Sequence, residues 1–210
     1  LSSTGLIYFV YLLAQKMKEG AGIWAGLFLS ITPVFFFFSK VPLSDITSTF
    51  IAVLSLYFFV NKKDFTAGLF VGIAFLTRFP QGLIIVPILL SLPYREYGKD
   101  NFYIKRVFYA SLKIIFGFFV LLIPYLVSNY FLYGSALGPI LLGSSIISGY
   151  SYLYNKGAWY YAQELWSTAP FLFLAIFSLI DITQQFREKT QKNILLISTF
   201  LTALIFSSYF

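Results

Sequence analysis

Asp45 stands where one apolar run stops and another begins: Thr32 to Phe38 gives way to Ser39-Lys40-Val41-Pro42-Leu43-Ser44-Asp45, and the next run opens at Ile46. A carboxylate at the edge of so much hydrocarbon is costly to keep, and its default reading is functional. The local alternative stands beside it, with Ser44 capping the following helix and Asp45 as a first-turn acid facing the helix dipole. Arg78 is the second residue of interest, because Thr77-Arg78-Phe79-Pro80 interrupts the long apolar stretch Thr66 to Pro93. A guanidinium held below the rim of a bilayer needs an anion. There is no His and no Cys. Thiol chemistry, His acid–base catalysis and Cys or His metal ligation are therefore excluded within these residues, and any metal would have to be held by carboxylates, with Asp45 the candidate.

The elements that must position these residues follow from composition. With 59% hydrophobic and 11% charged residues and several apolar runs near twenty residues, the chain lies outside the range of a soluble domain and reads as an all-α, polytopic transmembrane helical bundle. The net charge of +7 is dispersed into short loops between apolar runs rather than gathered on one face, which argues against nucleic acid and for topology signals. Residues 1–210 read as a single transmembrane domain. Both ends fall within apolar runs, so the chain is expected to be a fragment of a longer membrane module. Leu6 to Ala14 heads inward to Lys16 and Lys18, Ala21 to Phe38 returns outward with a kink at Pro33, and Ile46 to Val60 comes back to Lys62 and Lys63.

Thr66 to Pro93 is too long for one straight crossing, at roughly 42 Å of helix against a hydrocarbon core of roughly 30 Å. Read as a short-helix hairpin turning at Arg78-Phe79-Pro80, it leaves Arg95, Lys99, Lys105 and Arg106 on the same side as Lys62 and Lys63, as the positive-inside bias requires. Val107 to Val127 then spans outward with Lys113 as a snorkelling anchor, Ser128 to Glu164 reads as an outer loop, and two further spans follow. About eight membrane segments result. Of the fifteen Lys and Arg, Lys113 falls in a span, Lys40, Arg78 and Lys156 fall outside, and the remaining eleven fall inside.

The outer rim then carries Lys40, Asp45, Arg78, Lys156 and Glu164 with several tyrosines. That arrangement suits an amphipathic substrate such as a lipid phosphate, whose tail stays in the bilayer while its headgroup lies at the rim. Arg78 would pair the phosphate through its planar fork, with Lys40 as a second point charge. Asp45 would orient an acceptor hydroxyl, take its proton, or hold a divalent cation against the phosphate. Trp159, Tyr160, Tyr161 and Trp166 form an aromatic belt by their bland reading. Two other functions remain open on the residues alone: a transporter or flippase for a lipid-linked or small solute, whose polar groups usually sit nearer the midplane, and a non-catalytic scaffold.

Ala21 through Pro93 resembles the core of the GT-C glycosyltransferases, membrane enzymes that use polyprenyl-phosphate sugars, of the protein mannosyltransferase and aminoarabinose transferase type. The strings that carry the likeness are a span ending in Thr32-Pro33, Ser44-Asp45 opening the next span, and Gly68-x3-Gly72-x-Ala74-x-Leu76-Thr77-Arg78-Phe79-Pro80. Asn129-x4-Gly134 and Tyr160-Tyr161-x3-Leu165 are similar to later outer-loop signals of that family. The resemblance implies transfer of a sugar from a dolichyl- or undecaprenyl-phosphate donor to a glycan, protein or lipid acceptor on the outer or lumenal face. It places the protein in a membrane, a prokaryotic plasma membrane rather than endoplasmic reticulum. It carries Asp45 over as an acceptor- or metal-contacting group, Arg78 (where the family more often has Lys) as a phosphate ligand, and Tyr160 and Tyr161 as substrate contacts; Lys40 joins the phosphate ligands from the rim charges alone, and Glu164 joins the substrate contacts by position alone. The family's principal carboxylate usually lies in an outer loop upstream of these residues. Metal dependence varies within the family, so no cofactor is expected firmly and a divalent metal stays open. Gly68 and Gly72 also have a purely structural reading, as small residues that let two helices approach closely.

Overall fold

The computed structural model describes residues 1–41, 44–96 and 103–149, with Tyr160 and Gln163. All regular structure among them is helical: α1 (Ser2–Met17), α2 (Ala21–Ile31), α3 (Pro33–Lys40), α4 (Ser44–Val60), α5 (Asp64–Thr77), a 3-10 helix (Phe79–Ile84), α6 (Ile85–Glu96), α7 (Tyr103–Tyr133) and α8 (Gly138–Gly149). The apolar runs leave no strand-forming alternation, and in surroundings poor in water a helix satisfies its own backbone groups.

Small residues set the packing directions. Gly22 and Gly26 of α2 lie against Tyr11 and Ile7 of α1, an antiparallel pair. Ser2 meets Thr47 through their hydroxyls at 3.2 Å, and Lys16 donates to the Asn61 side-chain carbonyl. The start of α1 is therefore beside the start of α4 and its end beside the end of α4, so these two helices run parallel. A three-residue link, with Lys62 in the left-handed region at φ 60, reverses the chain into α5, whose Phe70 ring stacks on Phe58 of α4 with centroids 5.1 Å apart. Gly68 packs on Ile114 and Gly72 on Phe118, so α5 and α7 run parallel. Leu56, Phe59, Ala67, Val71, Ile88, Leu92, Ala110 and Ile114, contributed by α4, α5, α6 and α7, form the core of the bundle.

The segment between Asp64 and Glu96 doubles back. Asp64, at the start of α5, takes a bidentate bond from Arg95 in the last turn of α6, at 2.6 and 2.9 Å. The two ends of the segment thus coincide, and the turn falls at Arg78 and the 3-10 helix. The bundle consequently has two unlike ends. One gathers Lys16, Lys62, Lys63, Asp64, Arg95 and Arg106; the other holds Ser2, Thr47, Asp45 and Arg78.

Helix α7 is long and apolar enough to cross a membrane, with a mean hydropathy of 2.2 over its most apolar window and only 17% of that window buried. Phe116, Ile123 and Phe131 are exposed along it, a surface suited to hydrocarbon rather than water. The other helices differ from the simple spans expected of the sequence. α2 and α3 meet the length and apolarity of a span only together and are bent by 65° at Thr32-Pro33, where Pro33 begins a new helix because it has no N–H to continue the old one. α4 and α5 are apolar but shorter than a full crossing. Ser128 to Tyr133, expected in a loop, continues α7, and part of the same expected loop forms α8. α7 ends where Gly134 takes φ 69, and the buried Asn129 amide donates to the Ala136 carbonyl at 3.3 Å, which accounts for the Asn-x4-Gly string structurally.

Candidate active site

Asp45 lies in the first turn of α4 and Arg78 is the residue immediately after α5. Their side chains form an ion pair between Arg78 Nη1 and Asp45 Oδ1. The backbone beneath the pair is held by uncharged groups. Ser48 and Thr49 hydroxyls both donate to the Asp45 carbonyl, at 2.9 and 2.8 Å. The Gln81 amide donates to the Thr49 hydroxyl at 3.4 Å, while the Gln81 N–H donates to the Arg78 carbonyl at 3.0 Å. A closed ring of polar contacts therefore joins the first turn of α4 to the 3-10 turn. Ser48, fully buried, turns its hydroxyl back onto its own helix and leaves no unmatched polar atom inside the bundle.

The carboxylate and guanidinium themselves are partly open, with side-chain exposures of 32% for Asp45 and 45% for Arg78. Asp45 is a first-turn acid on the favourable end of the helix dipole, and it is also paired with a cation from the end of another helix; Ser44 is the first residue of α4. Lys40 ends α3 but lies over the Phe36 ring, 3.8 Å from its centroid, so the structure does not bring it onto the Asp45–Arg78 pair. Tyr160 is exposed; Tyr161 and Glu164, named as substrate contacts from the sequence, lie outside the described residues. Among the described residues no three carboxylates gather as they would around a cation, and Asp45 has Arg78 rather than a second acid beside it.

A second charged cluster, at the other end of the bundle, is one the sequence reading treated only as a topology signal. Arg95, its side chain 3% exposed, is paired with Asp64 on two oxygens and donates from Nε to Glu96 at 2.9 Å. Its Nη1 also reaches the Phe59 carbonyl at 3.3 Å, and its guanidinium lies 4.8 Å from the Phe59 ring centre. A cavity of about 350 Å³ opens beside it, lined by Asp64, Arg95, Glu96, Arg106, Tyr109 and Lys113 among others. Buried guanidinium and carboxylates satisfy one another here, which makes the cluster a clasp on the hairpin. Adjacent residues in a helix do not face each other, so nothing in the string Arg95-Glu96 announced that both would serve one cluster.

An all-helical bundle with a lipid-suited face and a partly open acid–guanidinium pair at one end defines a membrane-associated helical protein whose polar chemistry is gathered at the end of the bundle. Residues 1–128 match the family described as dolichyl-phosphate-mannose-protein mannosyltransferase, and with more than half of its length inside that match the chain belongs to this family. No curated protein and no solved structure matches the chain. The match contains Asp45, Arg78 and the glycine string and ends before Asn129 and Tyr160. Membership supports glycosyltransferase activity and does not favour the transporter reading.

Proposed function

We propose that the protein transfers a sugar from a polyprenyl-phosphate donor to an acceptor at the exoplasmic rim of the membrane, as part of a multi-pass bundle, with Arg78 and Asp45 at its reacting centre. The carrying observation is the ion pair at the end of the bundle opposite the basic cluster. The positive-inside bias puts Lys16, Lys62, Lys63 and Arg106 in the cytosol and Arg78 on the other side.

The reaction breaks the bond between the sugar's anomeric carbon and the phosphate oxygen and forms one from the acceptor oxygen to that carbon. The donor phosphodiester carries one negative charge, and the departing polyprenyl monophosphate gains a second as its bond breaks. A guanidinium fixed at the phosphate therefore interacts more strongly with the transition state than with the bound donor, and this difference is what accelerates the step. Asp45 is the carboxylate at this end among the described residues; it orients the acceptor hydroxyl and receives its proton as the new bond forms. Lys40 is carried as a second point charge at the rim, away from the ion pair, and Tyr160, Tyr161 and Glu164 are carried as substrate contacts. A divalent cation, if one is used, would share Asp45.

The test uses the complete protein and a labelled polyprenyl-phosphate mannose, with membrane extract as the source of acceptors. Arg78→Ala is expected to lower transfer by about 10²-fold, the scale of losing one charge-stabilising donor, and Asp45→Asn by a similar factor. Full activity in both variants removes the site assignment.

A further inference from the structure

Resting on the reading of Arg78 as the phosphate ligand, we propose that Asp45 and the lipid phosphate compete for the same guanidinium, so that donor binding uncovers the carboxylate and the carboxylate's return helps expel the polyprenyl monophosphate product.

The argument comes from comparing the two ion pairs of the bundle. Arg95 is almost wholly buried, shared between two carboxylates and backed by a carbonyl and a ring. Removing a partner there strands a charge in a poor solvent, so that pair does not exchange. Among the described residues Arg78 has one carboxylate partner, and about a third of the Asp45 side chain and nearly half of the Arg78 side chain are open. Exposed pairs of this kind are worth little, so a better anion can replace the carboxylate. Among the described residues no second cation is paired with Asp45, the Lys40 ammonium being placed over Phe36.

The surrounding bonds let the exchange happen without opening the fold. Ser48 and Thr49 hold the Asp45 carbonyl rather than its carboxylate, and the Gln81 side chain donates to the Thr49 hydroxyl while its N–H donates to the Arg78 carbonyl. The side-chain pair can part while α4 and α5 stay in register. Asp45 engages the guanidinium through one oxygen, whereas a phosphate can take it on two, and the monophosphate carries a second negative charge; a neutral headgroup offers no replacement charge at all. Asp45 thus acts at Arg78 in three states. With the site empty it neutralises the guanidinium; with donor bound it is released toward the acceptor; after transfer, once the proton taken from the acceptor has passed to water, it competes against the monophosphate left behind.

The experiment is calorimetric titration of a short-chain prenyl monophosphate into the complete protein in detergent, comparing wild type with Asp45→Asn, Arg78→Ala and the double variant. Inorganic phosphate serves as a second titrant, to separate the headgroup from the lipid tail. Competition predicts that Asp45→Asn binds the monophosphate about fivefold more tightly, the scale of one exposed ion pair. Arg78→Ala should bind it at least about tenfold more weakly, as expected for loss of a charged hydrogen bond, and the double variant should match Arg78→Ala because there is no guanidinium left to free. Inorganic phosphate should show the same ratios at lower affinity. If Arg78→Ala weakens binding but Asp45→Asn leaves it unchanged or weaker, Asp45 merely positions Arg78 and the competition is wrong while the phosphate reading stands. If Arg78→Ala binds like wild type, the phosphate reading itself fails. Unchanged unfolding midpoints in the variants, expected for half-exposed positions, separate these outcomes from loss of fold.

Discussion

Replacing Gly68 by Ala tests the packing that places Arg78. A Cβ built on Gly68 lies 2.0 Å from the Ile114 carbonyl oxygen, where a carbon and a carbonyl oxygen ordinarily stay about 3.3 Å apart. The obstacle is backbone, so no rotamer change relieves it, and α5 and α7 must separate locally by about 1.3 Å. That separation opens the packing of Ala67 and Val71 against Ala110 and Ile114, all of them buried. Forced overpacking of this kind costs about 1–3 kcal/mol, and two backbones in direct conflict put Gly68→Ala near the upper end. Gly117, on the facing helix, gives an independent measure, since its Cβ would lie 2.3 Å from the Phe65 carbonyl oxygen. Gly72 is the internal control: its Cβ would be 3.0 Å from the Phe118 carbonyl oxygen, a gap closed by a few tenths of an ångström, with an expected cost under about 1 kcal/mol. Equilibrium unfolding of the complete protein in detergent should therefore rank Gly68→Ala as most destabilising, then Gly117→Ala, then Gly72→Ala. Equal losses at positions 68 and 72, or none at either, would show that the α5–α7 approach is not held by these backbone contacts.

Arg95→Ala should destabilise the bundle by about 3–5 kcal/mol because it removes the buried guanidinium that Asp64 holds on two oxygens, and unfolding measurements that find a loss below about 1 kcal/mol would contradict the clasp. Lys40→Ala should weaken binding of a prenyl monophosphate by no more than about threefold, the scale of a distant exposed charge, since its ammonium is held over Phe36; a loss as large as that of Arg78→Ala would make Lys40 a direct phosphate ligand.

Composition and short strings carried a good deal. The apolar runs and the scarcity of charge determined an all-helical chain, because a backbone without water nearby must bond within its own segment. Thr77-Arg78-Phe79-Pro80 marked a break between helices, since a proline cannot continue the hydrogen-bond ladder. Gly68 and Gly72 announced a close helix approach, though not that Gly117 would answer them across the interface. Asp45 and Arg78 were each legible as out of place, one at the edge of an apolar run and the other inside one. What only the tertiary structure decided was which faces met. It set Arg78 on Asp45, Lys40 on its own Phe36, and Arg95 on an aspartate 31 residues away. It continued α7 through residues expected in a loop and bent α2 against α3 by 65°. Helix formation is settled within a turn or two of the chain, by propensity and solvent. The pairing of distant charges depends on the rotation of each helix about its axis, and that is fixed by close contacts such as Gly68 on Ile114, which no local pattern in the sequence specifies.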